Sequence, residues 1–159
     1  MPGEDLTMAK RQEFLLPNAP TCIAACAATD ARLWRSDTRY GTWALQTRML
    51  RPEAAEHEAE FASDRPGRAF DSFGSGRHAM GTGESGRDHE VRSFAREVAE
   101  YLNRAIAAGE FSHLVLIAAP GFLGHLRAGL SDVARRSVVY EAAKDLTNLD
   151  VDDIRNYFM

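Results

Sequence analysis

The chain has 159 residues, enough for one domain that buries roughly two-thirds of its unfolded surface. A hydrophobic fraction of 45% and a charged fraction of 26% belong to an ordinary folded globule and exclude a disordered or fibrous chain. The net charge of −4 excludes a nucleic-acid binder that uses its whole surface, but it leaves room for a local basic patch. Arginine outnumbers lysine 17 to 2, which reads as the imprint of a G+C-rich genome before it reads as selection for phosphate forks.

Residues 1–20 mix charges with Pro2, Pro17 and Pro20 and read as an N-terminal tail; residues 21–159 read as a single domain. Phe14-Leu15-Leu16 is too short for the apolar core of a signal peptide, and no run reaches the ~20 apolar residues that span a bilayer. The expectation is a cytoplasmic protein without a membrane span. Residues 21–28 are a continuous run of small apolar side chains, the pattern of a strand buried on both faces. Cys22 and Cys26 within it would point the same way about 13 Å apart at strand spacing, too far for a disulfide. After a turn at Thr29-Asp30, residues 31–36 alternate as a second strand, and residues 42–50 supply a third. The connections are too short for parallel crossovers, so the three form an antiparallel meander.

Residues 53–60 carry four glutamates, as a short exposed helix or an acidic linker. Residues 64–87 hold six of the twelve glycines, a density that costs too much backbone entropy for regular structure. A long mobile loop is expected there, punctuated by Arg65, Arg68, Arg77, His78 and Arg87. The strongest helical signal follows: Val91, Phe94, Ala95, Val98, Leu102, Ala105 and Ile106 make one stripe over residues 88–108, with Ser85 or Asp88 as cap and Gly109 as stop. Residues 114–119 are a second two-face strand, ended by Pro120-Gly121, and Phe122, Leu123, Leu126 and Leu130 place a helix directly after it. Residues 137–142 read as a fifth strand, and Asn148 or Asp150 caps a last helix bearing Val151, Ile154, Tyr157 and Phe158. The order is a three-strand antiparallel meander followed by αβαβα. This predicts an α/β protein with a mixed five-stranded sheet of the ribonuclease H-like kind, in which residues 21–28 and 114–119 pair in parallel.

The stretches 64–72 (Asp-Arg-Pro-Gly-Arg-Ala-Phe-Asp-Ser), Gly76-Arg77-His78, Phe94-Ala95, Ala119-Pro120, Leu123-Gly124-x-Leu126-Arg127 and Lys144-Asp145-Leu146-Thr147 resemble the bacterial host-attachment protein family. The resemblance covers about residues 21–158 and implies a ribonuclease H-like fold. Its name implies a role in attachment to host cells and states no chemistry. That family is in turn similar to the middle domain of archaeal and eukaryotic peptide-chain release factors, where a Gly-Gly-Gln loop precedes a long helix. Here residues 74–87 precede the helix but contain no Gly-Gly-Gln, so the resemblance does not extend to peptide release.

A two-metal nuclease needs carboxylates converging on central strands. Neither apolar strand carries one; Asp30 lies at a strand end, and Asp71, Asp88 and Asp145 lie in loops or caps. Ser72, Ser75 and His78 lack an orienting acid, and the five histidines have no metal-ligand spacing, so His113 and His125 read as structural or solvent-exposed. No cofactor is expected. The arginine loop remains: glycine allows close approach and arginine binds phosphate bidentately. The competing reading is a solvated loop whose arginines balance the acids of residues 53–60. With the resemblance, the contact residues expected are Arg65, Gly67, Arg68, Asp71, Ser72, Arg77, His78, Arg87, Arg127 and Lys144. The expected partner is RNA or the ribosome, bound without catalysis; the alternatives are a protein partner in attachment, or a hydrolytic site without a recognised motif.

Overall fold

The computed structural model describes residues 14–51 and 86–157. Its strands are β1 (Thr21–Ala27), β2 (Asp30–Ser36), β3 (Ala44–Leu50), β4 (His113–Ala118) and β5 (Val138–Ala143). Its helices are α1 (Gly86–Ala107), α2 (Pro120–Gly129), α3 (Asp132–Arg136) and α4 (Val151–Tyr157). The five strands form one sheet in the order β3-β2-β1-β4-β5. β1, β2 and β3 are the antiparallel meander, while β4 pairs in parallel with β1, and β5 in parallel with β4. Cys22 faces Leu114 and Ala24 faces Leu116 across the parallel pair, so the two continuous apolar runs are the centre of the sheet. This is the ribonuclease H-like arrangement read from the element order.

The period of two along the central strands divides their side chains between two cores. Cys22, Ala24, Cys26, Ala31, Leu33, Leu114, Leu116 and Ala118 lie under α1, α2 and α3, with Phe94, Val98, Leu102, Phe122 and Leu126 packed onto them. Ile23, Ala25, Trp34, Val115 and Ile117 form the opposite face, covered by Leu16, Trp43 and Ile154. Residues 14–20, read from the sequence as the end of a tail, belong to this second core: Leu16 is buried and Phe14 stacks on Tyr140 at 4.4 Å. Arg32 closes the same side. Its guanidinium lies 5.2 Å over Trp34 and donates to the carbonyls of Thr147 and Leu149 at 2.7 and 2.8 Å, holding the segment that leads into α4.

Several element ends differ from expectation, each for a local reason. α1 begins at Gly86, so Asp88 sits in its first turn and is not its cap. Gly109 does close it, with φ +76°: its amide bonds Ile106 O and the amide of Glu110 bonds Ala105 O, a Schellman pair. The short helix α3 has no counterpart in the sequence reading. Ser131 caps it by accepting from the Ala134 amide at 3.1 Å. Ser137 ends α3 through its bonds to Val133 and Ala134, which moves the start of β5 one residue on. Of the two candidate caps for α4, Asp150 is the one engaged, accepting from the Asp153 amide at 2.9 Å.

Candidate anion-binding groove

α1 and α2 descend side by side from the edge of the sheet where β1 and β4 end. There, Ala28, Ala119, Gly121 and Phe122 meet Arg87, Asp88 and Val91 around a cavity of about 260 Å³, which His125 also lines. Further down, Arg92 and Arg96 of α1 face His125, Ala128 and Gly129 of α2 around a second cavity of about 300 Å³. His125 belongs to both, so the two are stretches of one groove. Beyond it the helices are clasped: the Asn103 side chain donates to Gly129 O at 3.0 Å and accepts from the Ser131 amide at 2.9 Å. Gly129 permits that approach, because a Cβ there would stand 2.9 Å from the Ala99 methyl. The groove therefore runs from the carboxyl edge of the sheet toward the Asn103 clasp, with Arg92, Arg96 and Ala128 exposed along it.

Its electrostatics are cationic toward the Asn103 end. Arg92 and Arg96 lie one helical turn apart, and among the described residues no acid lines that cavity; Asp88 lines the one at the sheet edge. Glu97, their neighbour on α1, is turned away to an ion pair with Arg51. Among the described residues the side chains of Arg96 and His125 have no hydrogen bond or ion pair of their own. At the sheet edge α2 starts with Pro120, and its N-cap, Ala119, offers no side-chain acceptor to the first-turn amides. Those amides and the helix dipole add positive potential at the same edge.

The groove receives one of the residues singled out from the sequence, Arg87, at its mouth. Arg127 is engaged elsewhere. Its guanidinium grips Glu141 at 2.8 Å and ties α2 to β5, and that carboxylate holds the arginine's pKa above its ordinary value. Lys144 lies 5.2 Å over the Tyr157 ring, on the opposite side of the sheet near α4. Arg65, Gly67, Arg68, Asp71, Ser72, Arg77 and His78 lie outside the described residues, as do residues 64–85 of the loop expected over 64–87; its last two, Gly86 and Arg87, are the start of α1. Arg92 and Arg96 were missed. The sequence carried no clear signal for them, since charge is ordinary on the exposed face of an amphipathic helix and Asp88 and Glu100 stand at i, i+4 from Arg92 and Arg96.

Other chemistry has less to work with here. Asp30 is paired with Arg48 at 2.9 Å, and Asp145 accepts from the Thr147 amide and side chain. Among the described residues no group of three or more His, Cys, Asp or Glu side chains could hold a metal ion. Both cysteines are fully buried thiols under the helices. Burial, with a smaller contribution from the Glu110 charge, pushes Cys22 up to about 12. Burial raises Cys26 as well, with Cys22 and Asp30 adding to it. Such thiols stay protonated and inert at neutral pH.

Fold and groove together define a ribonuclease H-like domain whose cavity is lined by cationic side chains. The family described as "Protein required for attachment to host cells" matches residues 22–158, which is nearly all of the chain. The chain belongs to that family. Among curated proteins none matches it. Among the described residues no helix is long and apolar enough to cross a membrane.

Proposed function

We propose that this host-attachment protein works as a non-enzymatic binding protein whose partner is RNA, free or within the ribosome. Contact runs through the α1–α2 groove together with the arginine-bearing residues 64–87, which lead directly into α1. The observation that carries this reading is the position and sign of the groove. Open α/β sheets hold ligands at the carboxyl ends of their strands, and here that edge offers Arg87 and His125, with Arg92 and Arg96 further along the groove. Arginine forks and a helix N-terminus are the groups that grip phosphate. In this reading the requirement in host attachment is indirect and follows from the RNA that is bound.

A second reading has its own support. Tyr40, Leu45 and Leu50 are exposed on and beside β3, which has a single neighbouring strand among the described residues, as a protein partner adding a strand would need. A salt series separates the two. RNA and ribosome binding by the wild type should weaken steeply with salt, because each neutralised phosphate releases counterions. Replacing Arg65, Arg68 and Arg77 by Ala should lower affinity and flatten the log–log slope by roughly one unit for each phosphate no longer neutralised. Equal affinities and parallel slopes would end the RNA reading and favour the protein partner.

A further inference from the structure

Independently of the RNA reading, we propose that residues 144–157 are a strap that swings off the second face of the sheet as one unit while the sheet stays folded, with Arg32 as its latch. The strap follows β5, so opening it breaks none of the strand pairings described above. It contains Lys144-Asp145-Leu146-Thr147, singled out in the sequence and not taken up by the groove.

The strap is braced within itself. Lys144, at its start, lies 5.2 Å over the ring of Tyr157 at its end. Between them Asp145 accepts from the Thr147 amide and hydroxyl, the Leu149 amide bonds Leu146 O, and Asp150 caps α4 through the Asp153 amide. These bonds join strap residues to one another, so they travel with it. Alone, α4 has seven residues, well below the length at which a helix holds in water. It buries one side chain fully, Ile154, against the six that α1 buries on the first face. Leu146, Leu149, Val151 and Tyr157 are partly covered beside it, over the core of Trp34, Val115 and Ile117.

Two arginines tie the strap to the rest of the fold. Arg32 of β2 donates through Nη2 to the carbonyls of Thr147 and Leu149, and Arg155 of α4 donates to Gly41 O at 3.4 Å. Both side chains are half-buried, and among the described residues neither forms an ion pair. The Nε–H of each is buried without an acceptor. A guanidinium taken from water with no carboxylate and one donor left over retains part of its desolvation cost. Opening returns both groups to water. The closed strap is thus favoured by a thin apolar cover and opposed by two incompletely satisfied charges. That is the balance of a segment that opens well below the free energy of global unfolding.

Native-state hydrogen exchange over a urea series is the test. The amides of Leu149 and Ile154 should share one opening constant and a shallow urea slope. Those of β1 and β4 should exchange about a hundredfold or more slower, with the steep slope of global unfolding. Arg32→Lys keeps the charge on a shorter stem that falls short of the Thr147 and Leu149 carbonyls. It should raise the strap's opening constant about tenfold or more, the worth of a charge-assisted bond. Arg48→Gln, which removes the pair with Asp30 outside the strap, should leave that constant unchanged. Exchange of Leu149 and Ile154 at the rate and slope of β1 and β4 would overturn the proposal, because the strap would then open only with the whole domain. Rates graded inward from Tyr157 would overturn it too, as fraying of a chain end. The wild-type series decides both outcomes without any variant. An opening constant unmoved by Arg32→Lys would overturn Arg32 as the latch.

Discussion

The closest backbone approach at the groove can be examined with one chemical change made at two glycines of the same helix. Gly124 and Gly129 both lie in α2. A Cβ at Gly124 would meet nothing within 4 Å, and the position is exposed. Gly124→Ala should therefore return the helix-propensity difference alone, up to about 1 kcal/mol. For a domain of this size that raises Tm by about 2–4 °C. At Gly129 the new methyl would stand 2.9 Å from the Ala99 methyl. Neither group has a torsion that moves it aside, so the helices must part by about 0.5 Å to restore an ordinary carbon contact. Parting them also stretches the Asn103 bonds to Gly129 and Ser131, now 3.0 and 2.9 Å. Overpacking of this kind costs about 1–3 kcal/mol, and the propensity gain at the last turn of a helix offsets only part of it. Gly129→Ala should lower Tm by several degrees and shift the urea midpoint down with an unchanged m-value. If both variants moved stability in the same direction by similar amounts, the helices would not be in the contact described.

Two further outcomes bear on the core. Leu116→Ala, at a fully buried position in the centre of β4, should cost about 2–5 kcal/mol in urea unfolding, and a loss under about 1 kcal/mol would deny that this strand is central. The thiols of Cys22 and Cys26 should be silent to a thiol reagent at about pH 8, well below the value of about 12 at Cys22, and both should react on unfolding in denaturant. The pH dependence follows in sign: a thiol whose folded pKa is raised contributes stability lost only as pH climbs above its unfolded value, so alkaline titration should destabilise the fold progressively. Rapid labelling of the native protein under the same conditions would contradict the burial of β1.

The sheet could be read from the chain because its information is local. Two unbroken apolar runs, 21–28 and 114–119, mark strands covered on both faces, and the short connections after the first leave an antiparallel meander as the simplest solution. α1 announced itself by a stripe whose members Phe94, Ala95, Val98, Leu102 and Ala105 are buried. α3 was not legible because five residues with one buried side chain, Ala134, carry no periodicity; only Ser131-Asp132 hinted at a cap. The site was less legible than the fold for a related reason. Arg92 and Arg96 lie outside the buried stripe of an amphipathic helix, where charge is the default, and become a binding surface only when β4 places α2 and His125 opposite them. That placement is tertiary. Conversely, Arg127 reads like a phosphate contact in sequence, yet tertiary structure gives it Glu141.

The sign of the potential at the carboxyl edge also narrows what the fold can do there. A ribonuclease H-like sheet could hold metal ions if carboxylates rose from the ends of its central strands. In this chain the ends of β1 and β4 are Cys26-Ala27 and Ile117-Ala118, and the carboxylate that follows β1, Asp30, is neutralised by Arg48. What stands at that edge is the start of two helices, α1 and α2, with their dipoles aligned toward it, and Arg87 beside them. Asp88 offsets part of this field at the mouth, but among the described residues no acid lines the cavity at Arg92, Arg96 and His125 further down. Among the described residues, then, the side chains and helix ends along the groove favour an anion over a cation.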